Sequence, residues 1–380
     1  MAVGFPTKAN WAAGDVLTAS AQDDLAGTVN LLSNASAASG SQLVSNVAGT
    51  SFAYQATPSA SNPILNAAMA VAQRGTTFTS ATSSTYTLDR WQGFRGAGAA
   101  YNVSQQSTAD TTNLPFIQYC ARVGRPSGNT AVNTVYYSQS AETINSRPYA
   151  GKTVTYSFYA RAGANYSAAS NVLVCEVVTG TGTDQNVISG FTGGVSALLQ
   201  SNTLTTTWQR FTVTGSIGST ATQLGFNFDY TPVGTAGTND YFEITGVQID
   251  IGSVALPFRT YAATYQGELA ACQRYYYRMG GTAAYTMMGM GTGISTTVAR
   301  CLIVNPVTMR TTPTLTEYST LAIGDFVGSA IVVTSAAVDA ASPSAATINF
   351  TTAGTTVVYR PYGVFTNAST SGYLGLSAEL

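Results

Sequence analysis

Alternation of apolar and polar residues with a period of two recurs along most of this chain from about residue 62. The segment KTVTYSFYARA, residues 152–162, places Val154, Tyr156, Phe158 and Ala160 on one side of an extended chain. The segment QLGFNFDYT, residues 223–231, repeats the pattern with Leu224, Phe226, Phe228 and Tyr230. Successive side chains of a strand point to opposite faces, so both segments are typical of antiparallel strands with one buried face. The chain is therefore predicted to be mainly β.

The strand pattern continues to the C-terminus, with Gly, Ser and Asn turns between strands. In YFEITGVQIDIG, residues 241–252, the apolar positions shift by one after Ile244, which predicts a β-bulge at Thr245 and Gly246. Further strand segments are STTVARCLIV, GSAIVVTSAAV, AATINFTTAG and GYLGLSAEL. Strands of this kind indicate antiparallel sandwiches or jelly rolls, and 380 residues favour more than one domain. We predict a jelly roll over residues 62–262 and a β-sandwich over residues 263–380.

Charge is scarce, which excludes some function classes. Charged residues make up 9% of the chain, and the net charge is −1. Lys and Arg are scattered, so we expect no nucleic-acid binding. No window reaches the ~18 apolar residues of a membrane span, so no membrane insertion is expected. The start, MAVGFPTKAN, lacks the pattern of a secretory signal, which favours a soluble protein made in a cytoplasm.

The residue types needed for most hydrolytic or metal chemistry are missing. There is no histidine, which removes Ser-His-Asp and Cys-His schemes. The cysteines are widely spaced and are expected to be free buried thiols; they are Cys120, Cys175, Cys272 and Cys301. A glycosidase pair of Asp229 with Asp240 or Glu243 can be considered, but ordinary turn and surface carboxylates are favoured. GTNDYFE, residues 237–243, lacks the ligand pattern of a calcium loop. We predict no enzyme activity, no metal and no cofactor.

The N-terminal region has no charged residue between Asp24 and Arg74. Within it, apolar residues recur at heptad spacing with Ser36 and Ser39 between them; they are Leu25, Val29, Leu32 and Leu43. A helix this short is marginal without a partner, so the pattern predicts an oligomerisation helix. A disordered Ser/Ala linker is the alternative, since Gly27 and Gly40 interrupt the seam.

Three consecutive tyrosines stand between two arginines in GELAACQRYYYRMGG, residues 267–281. The spacing of Glu268 and Cys272 favours a short helix, after which a strand would place Tyr275 and Tyr277 on one face and Tyr276 on the other. Large rings on both faces suit a segment between two layers. We interpret Tyr275, Tyr276 and Tyr277 as the joint between the two β domains.

Two sets of residues could contact a ligand. Trp91 and Trp208 could serve as sugar platforms, although burial in the core is favoured for both. AAYTMMGMGTG, residues 283–293, reads as a glycine-rich loop that would expose Tyr285 and Met288. Methionine-rich loops adapt to partners, so these two residues are candidate receptor contacts; packing between subunits is the alternative.

Several segments, taken in order, resemble a family of bacteriophage fibre and tail-associated proteins whose central jelly roll is similar to carbohydrate-binding modules. The segments are NPILNAAMAVAQRGTTF (62–78), YTLDRW (86–91), GKTVTYSFYARA (151–162), TTTWQRFTVTGSI (205–217), FEITGVQIDIGSVALPF (242–258) and ELAACQRYYYR (268–278). The final GYLGLSAEL is similar to the last strand of fibre tip domains. The first 61 residues and most of 282–370 carry no diagnostic motif.

This resemblance implies a structural protein of a phage virion, a homotrimeric fibre or tail-associated adhesin. Residues 1–61 would attach it to other virion proteins, and the β domains would meet a host surface glycan or protein. The alternatives are a carbohydrate-binding protein or glycan depolymerase, and a capsid decoration or joining protein without a receptor role.

Overall fold

The computed structural model describes residues 41–45, 52–56, 62–280, 283–325, 327–328 and 330–380. These residues form antiparallel sheets, which confirms the mainly β prediction. Two large hydrophobic clusters share no residue. The buried members of one fall within residues 64–249, and those of the other within residues 288–378.

The N-terminal strands are β1 (Ser41–Ser45) and β2 (Phe52–Ala56), which pair with each other. Leu43 lies in β1 opposite Tyr54, so its assignment to a helix was wrong. Gly40 disfavours a helix that enters this segment, and the aromatic residues of β2 favour a sheet. Leu25, Val29 and Leu32 lie outside the described residues.

Twelve strands build a two-sheet sandwich. They are β3 (Thr77–Ala81), β4 (Thr85–Tyr86), β5 (Gln92–Arg95), β6 (Tyr101–Ser107), β7 (Tyr119–Gly124), β8 (Val135–Ser140), β9 (Thr153–Ala162), β10 (Val172–Gly180), β11 (Val195–Thr203), β12 (Gln209–Ser216), β13 (Gln223–Tyr230) and β14 (Tyr241–Ile251). Sheet I has the order β12-β9-β14-β7-β6-β3, and sheet II has the order β11-β10-β13-β8-β5-β4. A short helix, α1 (Thr143–Ser146), follows β8.

The core of the sandwich lies between the inner faces of sheets I and II. The residues predicted to face inward on β9 and β13 are all buried. Thr155 and Ser157, on the opposite face of β9, are buried as well, so this strand is covered on both sides over these residues. Phe158 of sheet I meets Phe228 of sheet II edge-on, with ring centroids 4.8 Å apart. Trp91 stacks on Tyr137 at 5.3 Å. Burying each such side chain contributes about 1.5–3 kcal/mol, so these rings account for much of the adhesion between the sheets.

The predicted bulge in β14 is confirmed. The register of β14 against β9 shifts between Thr245 and Gln248, and Gly246 has a φ of 60°. A Cβ at Gly246 would also lie 2.8 Å from side-chain atoms of Ile117 and Tyr159. Both the backbone angle and the close packing therefore require glycine here.

The remaining strands form a closed barrel and a small sheet. They are β15 (Tyr276–Gly280), β16 (Met287–Gly293), β17 (Val298–Val304), β18 (Thr314–Ser319), β19 (Leu321–Gly324), β20 (Ile331–Ser342), β21 (Ala345–Thr352), β22 (Pro361–Thr366) and β23 (Tyr373–Ser377). The barrel order is β16-β17-β21-β20-β19-β22, and β15, β23 and β18 form the small sheet. The expected sandwich is here a sheet closed on itself.

Glycines in β16 explain this closure. A Cβ at Gly291 would collide with the carbonyl of Arg300 on β17, and one at Gly293 with the carbonyl of Val357. Glycine permits close backbone approach and a tight bend, so β16 can pair with both β17 and β22. The segment interpreted as a glycine-rich loop is therefore a barrel strand.

A helix and the tyrosines connect the sandwich to the barrel. Helix α2 (Tyr265–Gln273) begins after Thr264, whose side chain accepts a hydrogen bond from Gly267 N, and the helix predicted from Glu268 and Cys272 is confirmed. Within the described ranges, no helix is long and apolar enough to cross a bilayer.

The tyrosines after α2 contact both parts of the chain. Arg90 lies 3.6 Å from the ring centroid of Tyr275, and Arg74 lies 3.5 Å from that of Tyr276. The Tyr276 hydroxyl donates to Glu317. Tyr277 packs against the barrel cluster.

Ion pairs reinforce the same junction. Glu379 binds Arg90 and also Arg74, whose Nη2 lies 3.1 Å from Oε1, and these two pairs are buried. Removing one partner of a buried pair is costly, so the Glu379 contacts hold the junction in one geometry. The half-exposed Arg274 also donates to Glu142 through Nε and Nη2, at 3.0 and 3.1 Å, and contributes less.

Candidate functional site on the outer face of sheet II

The residues predicted to contact a ligand lie in different parts of the structure and differ in burial. Trp91 and Trp208 are buried, as favoured. Tyr285 is exposed and lies edge-on to Phe365 with ring centroids 6.0 Å apart. Met288 is 7% exposed and belongs to the barrel core. Because Met288 points inward from β16, its proposed receptor contact was wrong; the receptor role of Tyr285 stays a prediction.

The carboxylates considered as a glycosidase pair lie on different sheets. Asp229 is on β13 of sheet II, whereas Asp240 and Glu243 belong to the β14 segment of sheet I. Asp240 Oδ2 lies 2.6 Å from Arg125 Nε. Glu243 binds both Arg122 and Arg161. The two sheet I carboxylates are thus held in ion pairs, and Asp229 belongs to the other sheet.

The cysteines are free and buried, as expected. Burial raises the pKa of the Cys175 thiol to about 11 and that of Cys301 to about 12. Thiols with such pKa values are poor nucleophiles at neutral pH. In the part of the chain that the structure describes, no three His, Cys, Asp or Glu side chains gather in a way that could hold a metal ion.

The outer face of sheet II carries a group of residues that sequence reasoning missed. Strand register places Phe94 beside Tyr136, and Tyr136 beside Asp229. The next row runs through Gln92, Ser138, Asn227 and Glu176. Their chain neighbours, such as Tyr137 and Phe228, fill the core, so alternation turns these residues outward. We call Phe94, Tyr136, Asp229, Asn227 and Glu176 the sheet II face.

Hydrogen bonds fix the polar row of the sheet II face. The Ser138 hydroxyl donates to Asn227 Oδ1. Asn227 Nδ2 in turn donates to Glu176 Oε2 at 3.3 Å. Beside this row, the rings of Phe94 and Tyr136 have centroids 6.0 Å apart and an interplanar angle of 32°. A pair of half-buried rings thus adjoins a polar row of fixed orientation.

The two carboxylates of the sheet II face have no salt-bridge partner among the described residues. Burial, and then the neighbouring Glu176, raise the pKa of Asp229 to about 7. Burial, and then the charge of Asp229, raise the pKa of the Tyr136 hydroxyl. Desolvation and like-charge repulsion therefore both oppose ionisation of Asp229, and no cation among the described residues compensates for them.

This arrangement suits a ligand that has both apolar faces and hydroxyl edges. Aromatic rings can stack on the C–H faces of a sugar ring, while amide and carboxylate groups fix its hydroxyls. The sequence contains part of the signal, since alternation alone turns Asn227 and Asp229 outward. What it lacks is the pairing of β5, β8, β10 and β13, which assembles the face from distant segments.

The chain was compared with family models, curated proteins and solved structures. No family model and no curated protein matches the chain. Among solved structures, the enzymatically active domain of tailspike protein 4 from bacteriophage CBA120 is 9% identical, with a TM-score of 0.31; the match covers 45% of this chain and 22% of that one. The chain thus spans about a fifth of that tailspike domain's length.

Two smaller proteins are matched over nearly their whole length. The CBM22-1 xylan-binding domain from Paenibacillus barcinonensis is 16% identical, with a TM-score of 0.29, and the match covers 47% of this chain and 95% of that one. A cyclase from Fischerella sp. is 12% identical, with a TM-score of 0.33, and the match covers 51% of this chain and 97% of that one. TM-scores this low carry no argument about the activity of this chain. The sandwich is identified from the strand order of the chain itself.

Proposed function

We propose that this protein is a glycan-binding structural component of a phage virion, a homotrimeric fibre or tail-associated adhesin. One observation carries the binding part: the sheet II face places two aromatic rings beside two carboxylates that have no ion-pair partner among the described residues. The virion part is supported by the sequence segments between residues 62 and 280 that, in their order along the chain, resemble phage fibre and tail-associated proteins.

The charge of the sheet II face selects the kind of glycan. Glu176 and Asp229 are acceptors that bind sugar hydroxyls well, but they repel carboxylate or sulfate groups. The half-buried rings of Phe94 and Tyr136 offer apolar area to a pyranose face. The preferred ligand is therefore a neutral oligosaccharide of the host surface.

The site lies in the sandwich and not in the barrel, where Tyr285 and Met288 were expected to meet the receptor. In this account residues 1–61 attach the protein to other virion proteins, and the barrel is a second projecting domain. Assembly as a trimer is tested by light scattering of the full chain and of Leu32→Asp. A monomer at micromolar concentration that is unchanged by Leu32→Asp would remove this part of the proposal.

Glycan binding is tested by titrating the full chain with the best neutral oligosaccharide found on a glycan array. Tyr136→Ala removes half of the ring pair and is expected to weaken binding about 10-fold, or ~1.4 kcal/mol. Tyr318→Ala, a change at a partly exposed tyrosine on β18 of the small sheet, is the matched control and should bind as the unaltered protein does. Equal affinity of both variants, or no neutral ligand at all, would reject the sheet II face as the site.

A glycan depolymerase is the second candidate, because Asp229 and Glu176 are neighbouring carboxylates on the sheet II face. The raised pKa of Asp229, about 7, lets this residue hold a proton near neutral pH and donate it to a leaving oxygen, with the Glu176 side chain beside it. The assay is release of reducing ends from host polysaccharide. Release that is lost in Asp229→Asn would establish this function in place of simple binding, and no release from a polysaccharide that binds would exclude it.

A further inference from the structure

The outer face of sheet I differs from the sheet II face in its charges. Strand register aligns Arg161, Glu243, Arg122, Ser104 and Thr77 in one row across β9, β14, β7, β6 and β3. Both guanidiniums in this row lie over aromatic rings. Arg161 is 4.8 Å from the ring centroid of Trp208, and Arg122 is 4.0 Å from that of Tyr241. Each arginine of the row is therefore positioned both by an aromatic ring and by Glu243.

Two arginines share one buried carboxylate in this row. The fully buried Glu243 contacts Arg122 Nε and Nη2 at 2.8 and 2.6 Å from Oε1, and Arg161 through Oε2. Nearby, Arg125 is already saturated, since it binds Asp240 and several backbone carbonyls. The group formed by Arg122, Glu243 and Arg161 therefore carries one excess positive charge.

Asp110 does not remove this excess. It is exposed and accepts hydrogen bonds from Thr112 N and Asn113 N within its own loop, and it makes no ion pair among the described residues. The excess charge therefore stays with the group formed by Arg122, Glu243 and Arg161.

A cavity of about 160 Å³ adjoins Arg122, with room equal to about five waters at ~30 Å³ each. Its lining includes Thr77, Asn102, Ser104 and Arg122, together with Arg125 and Asp240, which form an ion pair with each other. Arg122 Nη1 and Asn102 Nδ2 have no hydrogen-bond partner among the described residues, since Arg122 pairs through Nε and Nη2 and Asn102 accepts through Oδ1. The cavity therefore combines one free guanidinium edge, one free amide donor and several hydroxyls.

We propose that this cavity binds the carboxylate of an acidic sugar, a hexuronic acid residue of a host glycan. Arg122 takes the carboxylate, while Asn102 and the threonine and serine hydroxyls bind the ring hydroxyls. The single unmatched charge fits a monoanion; a phosphate dianion would leave a negative charge uncompensated in the cavity. This site is separate from the sheet II face and does not rest on its function.

The test uses an oligogalacturonate and its methyl ester, which differ in the charge of the carboxyl groups and in one added methyl group on each. Isothermal titration of the full chain should find the acid bound at least 10-fold more tightly than the ester. Arg122→Gln should abolish this difference, whereas Arg300→Gln, at an arginine of the barrel that pairs with Asp339, should keep it. Tyr136→Ala on the sheet II face should also keep it, which separates failure of this proposal from failure of the proposed function.

A second variant guards against misfolding of Arg122→Gln. Ser104→Asp changes a half-buried surface position and places a carboxylate beside Arg122, so it should also abolish the preference for the acid. Equal binding of acid and ester by the unaltered protein would overturn the proposal, as would a preference that survives both variants. Competition by inorganic phosphate below the oligogalacturonate concentration would overturn the sugar assignment.

Discussion

The two sheets of the sandwich use carboxylates in opposite ways. On sheet I, Asp240 and Glu243 are buried and each is bound by at least one guanidinium. On sheet II, Glu176 and Asp229 stand next to each other with no cation among the described residues. Buried charges are costly unless paired, and the sheet I carboxylates find their cations within the chain. The sheet II carboxylates lack such partners among the described residues, which is typical of a surface that is completed by a ligand.

The largest effect should come from breaking a pair on sheet I. Arg125→Leu leaves the carboxylate of Asp240 buried without its cation, so the free energy of unfolding should fall by about 3–5 kcal/mol. Urea denaturation measures this loss. The double variant Arg125→Leu with Asp240→Asn removes the orphaned charge and should recover part of the stability. If Arg125→Leu were neutral, sheet I would be no more dependent on pairing than sheet II.

A smaller loss is expected for Arg122→Gln on the same face. Glu243 would keep Arg161 and lose only the contacts of Arg122 with Oε1, so the free energy of unfolding should fall by about 1 kcal/mol. The same denaturation experiment measures the change. A loss as large as that of Arg125→Leu would mean that Arg161 does not hold Glu243 alone, and that Arg122 is primarily a structural residue.

An effect of opposite sign is expected for Asp229→Asn on sheet II. The folded-state pKa of Asp229 is raised to about 7, so its ionisation opposes folding: its contribution is fully present below its ordinary pKa and is lost as pH rises through about 7. Asp229→Asn cannot ionise, so its gain in stability over the unaltered protein should be larger at pH 8 than at pH 5.

Asp110→Asn is the control for that titration. Hydrogen bonds from Asn113 lower the pKa of Asp110, so its contribution to stability is present at neutral pH and is lost as pH falls. This variant should therefore lose stability at pH 8. Thermal melts at pH 5 and pH 8 measure both variants, and a stability loss at pH 8 in Asp229→Asn would show that the sheet II carboxylates are not in conflict.

Much of the fold follows from local sequence signals. Alternation identified the inner faces of β9 and β13, the register shift located the bulge at Gly246, and helical spacing found α2. Barrel closure was missed, because the same glycines that suggest a loop also permit the close strand contacts of β16. Met288 was misassigned for that reason, since only the strand alternation of β16 turns it inward. Leu43 fits a heptad in sequence, but the backbone pairing with Tyr54 places it in a strand.

The candidate site could be predicted only in part. The outward orientation of Asn227 and Asp229 follows from the period of β13. Their neighbours Phe94, Tyr136 and Glu176 come from strands that are far away in sequence, and the order of sheet II is set by long-range pairing. Arg122 and Arg161 also lie far apart in sequence, and their proximity depends on strand pairing that lets both bind Glu243.

The most direct test of the central claim is a structure of the full chain with a bound neutral oligosaccharide. The account predicts that a sugar ring lies against Phe94 and Tyr136, with its hydroxyls within hydrogen-bond distance of Asp229, Asn227 or Glu176. A sugar bound only at the barrel, beside Tyr285, or only in the cavity beside Arg122 would contradict it.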